Sequence, residues 1–149
     1  MIRRLLASAV CASICACAAP STGQDGQPLA GTTWRLRAIQ SMDDAQGTTR
    51  VADPSRLTVA FMADGRAALR LDCNRGAAGW RATPSAAGDS GTLEFGAIAA
   101  TRAMCPPPSL GDRLARDLAY VRSYRLKDGL LFMSLMADRG ILEWEPVRD

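Results

Sequence analysis

The residues best equipped for chemistry lie in two short runs, RLDCNRG at 70–76 and TRAMCPPP at 101–108. Each holds one cysteine, Cys73 or Cys105, close to guanidinium groups. Positive charge stabilises a thiolate, so a thiol in such company can serve as nucleophile or redox centre. That chemistry also needs a base or a resolving thiol. The chain has no histidine and no Cys-x-x-Cys spacing. Two thiols without histidine cannot fill a four-ligand zinc site, so neither a metal nor another cofactor is expected. The reading that needs nothing further is a structural disulfide between Cys73 and Cys105, 32 positions apart, formed in an oxidising compartment. A thiol-redox protein using the same pair stays open as the alternative.

Asn74, Arg75 and Arg102 flank these cysteines and form a candidate binding surface, because guanidinium suits bidentate capture of carboxylates. Structural roles compete with that reading: Asn74 can close a turn, and each arginine can pair with Asp72 or Glu94. Ser109 and Asp112 match a helix-capping pattern rather than a catalytic pair. Asp43, Asp44 and Asp53 lack the spacing of a calcium loop and read as solvated charge. Met104, Met133 and Met136 read as core or gap filling, with a lipid or peptide groove as the alternative. No catalytic residue is assigned.

The N-terminus reads as a leader. Arg3 and Arg4 precede an apolar run at 5–16 that is too short to span a bilayer. The sequence ICAC at 14–17 reads as a lipobox, with cleavage before Cys17 and acylation of its sulfur. Ala18 rather than aspartate follows, which points to the outer membrane, with the domain facing the periplasm. An ordinary cut after Ala16-Cys17-Ala18 would instead give a soluble periplasmic protein. The expected divisions are a signal peptide at 1–16, a lipidated flexible tether at 17–28 and a folded domain at 29–149. Without the leader, 16 basic and 15 acidic residues remain. No basic stripe interleaved with aromatics appears, so nucleic acid is not an expected partner.

The chain is 48% apolar and 22% charged, enough for one globular core, and at 5% aromatic that core must be largely aliphatic. Trp34, Leu36 and Ala38 alternate with arginines as in a half-buried strand. Residues 57–71 read as a hairpin turning at Asp64-Gly65, and a second hairpin turns at Asp128-Gly129. The stretches 41–55 and 74–91 read as loops, the latter with a short strand around Trp80. One or two short strands follow at 92–105, then a helix from Ser109 with Leu110, Leu114, Leu118 and Val121 on one face. Leu142 and Trp144 mark a last strand. The fold class is α+β, an antiparallel, β-rich, incomplete barrel packed on a single α-helix.

The runs GTTWRL, DCNRG, TLEFGAIAATRAMCP and the closing strands resemble the META-domain family, which includes the HslJ-like heat-inducible bacterial lipoproteins. The resemblance covers about residues 29 to 146. It implies an incomplete antiparallel barrel on one helix, similar in shape to lipid-binding pilot proteins of secretion systems. It also implies an envelope-stress role, some members being associated with heat induction or novobiocin resistance, and no catalytic activity is established for the fold. The family's signature cysteines map onto Cys73 and Cys105, its CNR onto Cys73, Asn74 and Arg75, and its TR onto Thr101 and Arg102. Many members carry a bulky aromatic where this chain has Gly76, and glycine where it has Asp72. The expected function is therefore that of a non-enzymatic, disulfide-locked binding or stress module, held to the membrane by a lipid. Its ligand would be a peptide, an acyl chain or an envelope protein. An inhibitor of a host or phage hydrolase is a further alternative.

Overall fold

The computed structural model describes residues 27–148. The expected signal peptide, Cys17 and all of the tether before Gln27 lie outside the described residues.

Alternating apolar and polar side chains produce strands because successive Cβ atoms point to opposite faces. The chain forms β1 (Thr33–Ser41), β2 (Thr48–Arg50), a 3-10 turn (Pro54–Arg56), β3 (Leu57–Phe61), β4 (Arg66–Leu71), β5 (Asn74–Pro84) and β6 (Ser90–Phe95). It continues through β7 (Ala99–Ala100), α1 (Gly111–Leu118), β8 (Val121–Lys127), β9 (Leu130–Leu135) and β10 (Gly140–Pro146). Both expected hairpins are present, with positive φ at Gly65 (81°), Asp128 (54°) and Gly129 (75°).

The incomplete α+β barrel expected from the sequence is corrected: the protein is mostly β, a closed antiparallel barrel of 8 strands with one short helix. The ring runs β1-β3-β4-β5-β6-β8-β9-β10 and returns to β1, while β2 and β7 pair with β1 and β5 outside it. Closure comes from β1 and β10, which pair from Trp34↔Pro146 to Ser41↔Gly140. A register shift between Leu36 and Ala38 lets β1 bend, so that it serves β3 at its start and β10 along its whole length. The same irregularity buries Ile39 beside Ala38, against strict alternation. At Gly140, with φ of 140°, a Cβ would collide with the carbonyl of Gln40, so the seam closes only on glycine.

Two further expectations change. β5 occupies 11 residues of what reads as a loop, because its glycines and alanines carry weak strand preference and gain their order from β4 and β6 on either side. The helix is 8 residues long and starts two residues after Ser109, with Leu110 at its N-cap and no side-chain capping bond. Ser109 Oγ, one residue before the N-cap, accepts a long hydrogen bond from the Gly111 N–H at 3.4 Å. Gly111 lies against the Leu71 carbonyl, where a Cβ would not fit, and this contact sets the helix across one mouth of the barrel. Leu114 and Leu118 are fully buried as the plug. At the opposite mouth, the Gly31 N–H donates to the Phe61 carbonyl and the Val147 N–H to the Thr33 carbonyl, so both ends of the described chain leave there.

The barrel interior is filled. Trp80, Trp144, Phe61, Leu36, Leu93 and Met133 are all fully buried, and Phe61 meets Trp80 edge-on with ring centroids 4.9 Å apart. Of the three methionines expected in the core only Met133 is there; Met136 is 40% and Met104 98% exposed. Trp80 Nε1 donates to the carbonyls of Met62 (3.2 Å) and Arg66 (3.1 Å). Trp144 Nε1 is buried without a hydrogen-bond partner among the described residues. Both rings lose the same volume on replacement by phenylalanine, and phenylalanine keeps a ring to face Phe61, so the main difference is the indole N–H. Urea unfolding should show Trp80→Phe costing about 1–2 kcal/mol more than Trp144→Phe. Equal losses would mean that the Trp144 N–H is satisfied in solution.

Candidate functional site

The chemistry-bearing residues gather at the α1 end of the barrel, around the tight turn joining β4 to β5. Leu71 pairs with Asn74 across Asp72 and Cys73. Asp72 holds a positive φ of 65°, a conformation that glycine adopts without cost, and is 6% exposed. Its N–H donates to the Arg56 carbonyl at 2.8 Å, and its carboxylate forms an ion pair with the Arg56 guanidinium. That local support lets an aspartate stand where glycine is the easier choice.

Cys73, exposed at the tip of this turn, is bonded to Cys105 with Cα atoms 5.6 Å apart. Asn74 then clamps the segment that carries Cys105. Its Oδ1 accepts from the Ala103 N–H and from Thr101 Oγ1, both at 2.8 Å, and its Nδ2 donates to the Ala103 carbonyl at 2.9 Å. Thr101 adds two backbone links to β5: Oγ1 accepts from the Arg75 N–H at 3.1 Å, and the Thr101 N–H donates to the Arg75 carbonyl at 2.9 Å. The CNR and TR runs thus meet as the two halves of one fastening, covalent at the cysteines and hydrogen-bonded at Asn74 and Thr101.

The three residues of the candidate binding surface do not form a single face. Gly76 pairs with Ala100, so Arg75 stands opposite Thr101 and Asn74 opposite Arg102. Asn74 is 5% exposed and points inward. Arg102 shares its side of the sheet, whereas Arg75 lies on the outer side beside its cross-strand neighbour Arg70. The acidic groups of the two surface loops cap their own turns: Asp43 Oδ1 accepts from the Ala45 N–H and Asp53 Oδ1 from the Ser55 N–H. The hydrogen bonds from Ser55 hold the Asp53 carboxyl below its usual range. Burial raises that of Asp117 on α1, opposed by Arg113 and Arg116.

A groove of about 650 Å³ opens on the Arg102 side. Its origin is topological. β6 pairs with β8 only as far as Thr92↔Ser123, while β7 and the segment after it stay with β5. The barrel wall therefore parts towards its α1 end, and α1 spans the gap. Ile98, Arg102 and Met104 form one wall, and Asp112, Ala115 and Arg116 the other. The first three alternate along an extended chain; the others stand at i, i+3 and i+4 on one helix face. A Cβ on Gly76 would meet the Ala99 carbonyl at 3.1 Å, then Leu71 Cδ1 at 3.3 Å and Ala100 Cβ at 3.4 Å, the last two from residues of the groove lining. A bulky aromatic there would press on that lining from the β5 side, which Gly76 leaves unencumbered. The sequence announces none of this, apart from the alternation of 98 to 104, because the groove depends on where two distant strands part.

The family profile described as the META domain matches residues 27–145. A comparison with curated proteins finds no match. Among solved structures the fold is similar to that of a DUF4847 family protein from Bacteroides vulgatus ATCC 8482. The TM-score is 0.50 at 10% sequence identity, covering 79% of this chain and 94% of that one, a likeness of fold alone. Matched along nearly all of its described length by that profile, with the paired signatures joined through Cys73–Cys105 and Asn74, the chain belongs to the META-domain family.

Proposed function

We propose that the protein is a non-enzymatic binding module of the bacterial envelope, tethered to the outer membrane through an acylated Cys17 and facing the periplasm. The observation that carries the binding role is the fastening of the groove wall. One disulfide and the Asn74 hydrogen bonds hold the 101–105 segment rigidly against β5. A wall ordered in advance loses less entropy when a ligand arrives. The filled barrel interior favours an external ligand, so the groove beside α1 takes the place of a lipid cavity inside the barrel.

The anchor is tested by metabolic labelling with a clickable palmitate analogue. The wild-type chain should carry label in the outer-membrane fraction, and Cys17→Ser should carry none. Unlabelled wild-type protein in the soluble periplasmic fraction would refute the anchor.

The exposure of Cys73 favours one second reading, thiol exchange, since an accessible sulfur can be attacked. Trapping of thiols in periplasm decides between the two. A bridge that stays oxidised under growth supports the module, and a pair that cycles supports redox work.

A further inference from the structure

We propose that the groove receives an extended acidic segment of a partner protein, which adds as a strand to the open edge at Arg102 and Met104. This deepens the reading of the protein as a binding module and rests on it.

The edge follows from hydrogen-bond direction. Along an extended chain, successive backbone groups point to opposite sides. The Thr101 N–H points to the Arg75 carbonyl and the Ala103 N–H to Asn74 Oδ1, both towards β5. The backbone groups of Arg102 and Met104 point the other way, and none has a partner among the described residues. Unpaired strand edges template the addition of another strand, and proteins usually blunt them. Here Pro106, Pro107 and Pro108 limit the edge at its C-terminal side, so it suits a short segment rather than open-ended pairing.

The side chains then specify the occupant. Met104 lines the groove with a large apolar group 98% exposed, an unfilled contact for an aliphatic residue. Arg102 and Arg116 line the groove without an ion pair among the described residues, against a single carboxylate, Asp112. Net positive charge selects an acidic segment. All pairings in this sheet are antiparallel, and the new strand follows the same sense. The residue facing Met104 then precedes the one facing Arg102, which gives an aliphatic residue followed two positions later by Asp or Glu.

The test uses mature, oxidised protein extracted in detergent, and two libraries of blocked octapeptides in a Ser/Thr background. One carries Leu with Glu two positions later; the other has Lys in place of Glu. The Glu library should be retained about tenfold better, the scale of one ion pair exchanged for a repulsion. Binding should slow hydrogen exchange at 102–104. Arg102→Glu, an exposed substitution, should reverse the preference. Equal retention of the libraries, unchanged exchange at 102–104, or a preference indifferent to Arg102→Glu would overturn the proposal. Vesicles of dioleoylphosphatidylglycerol form the other arm: protection of 102–104 by vesicles and by no peptide overturns strand addition while sparing the binding module. That broader reading fails separately, in the thiol-trapping experiment.

Discussion

Serine at both Cys73 and Cys105 is expected to lower the unfolding free energy by about 3–4 kcal/mol, the chain-entropy value for a loop of this size. The bridge closes a separation of 32 residues that contains β5, β6 and β7. Against a typical domain stability of about 5–15 kcal/mol, the loss is large without being fatal. The barrel seam between β1 and β10 lies elsewhere and does not depend on it. Urea unfolding with and without dithiothreitol is the measurement. Reduced wild-type protein should match the double-serine variant, and oxidised protein should exceed both. A loss below about 1 kcal/mol would assign the fastening to the hydrogen bonds alone.

Asn74→Ala should cost about 1–3 kcal/mol, since it removes three hydrogen bonds made from a buried side chain to Thr101 and Ala103. Thr101 keeps its links to Arg75 and limits the damage. Asn74→Asp should not rescue the loss, because a carboxylate cannot donate to the Ala103 carbonyl. The two fastenings should also be coupled. With the disulfide intact, the 101–105 segment is held against β5 and its bonds to the lost amide cannot be remade by rearrangement. Without it, the segment can peel away and hydrate, so Asn74→Ala costs less in the double-serine background, by about 1 kcal/mol. A double-mutant cycle in urea reads this directly, and strict additivity would show that the segment does not move when the bridge is cut.

The legible parts of the fold are those with local causes. The alternation of Leu57, Val59 and Phe61 marks β3, and Asp64-Gly65 and Asp128-Gly129 mark tight turns, as the structure shows. The cysteine pair was legible because so few alternatives suit two thiols without histidine. Closure was not, for it rests on β1 meeting β10 across a separation of over a hundred residues, and neither strand names its partner. β5 was hidden by Gly76, Ala77, Ala78 and Gly79, which read as loop until β4 and β6 flank them. Asn74 was weighed as a turn former or a ligand contact. It is the clamp on a segment 29 residues away, a role that no local pattern encodes. Arg75 and Arg102 were grouped by nearness to cysteine, and the pleat sends them to opposite faces.

Both chain ends leave the barrel at the rim away from α1. With the anchor proposed at Cys17, the chain before Gln27 would hang the domain by that rim, and the Arg102 groove would look outward, away from the membrane. The same placement leaves an affinity handle or fluorescent fusion after Val147 a full barrel length from the groove. It also brings the two ends near enough for a short linker to join them, with new termini cut in the 85–89 turn between β5 and β6 on the rim away from the groove.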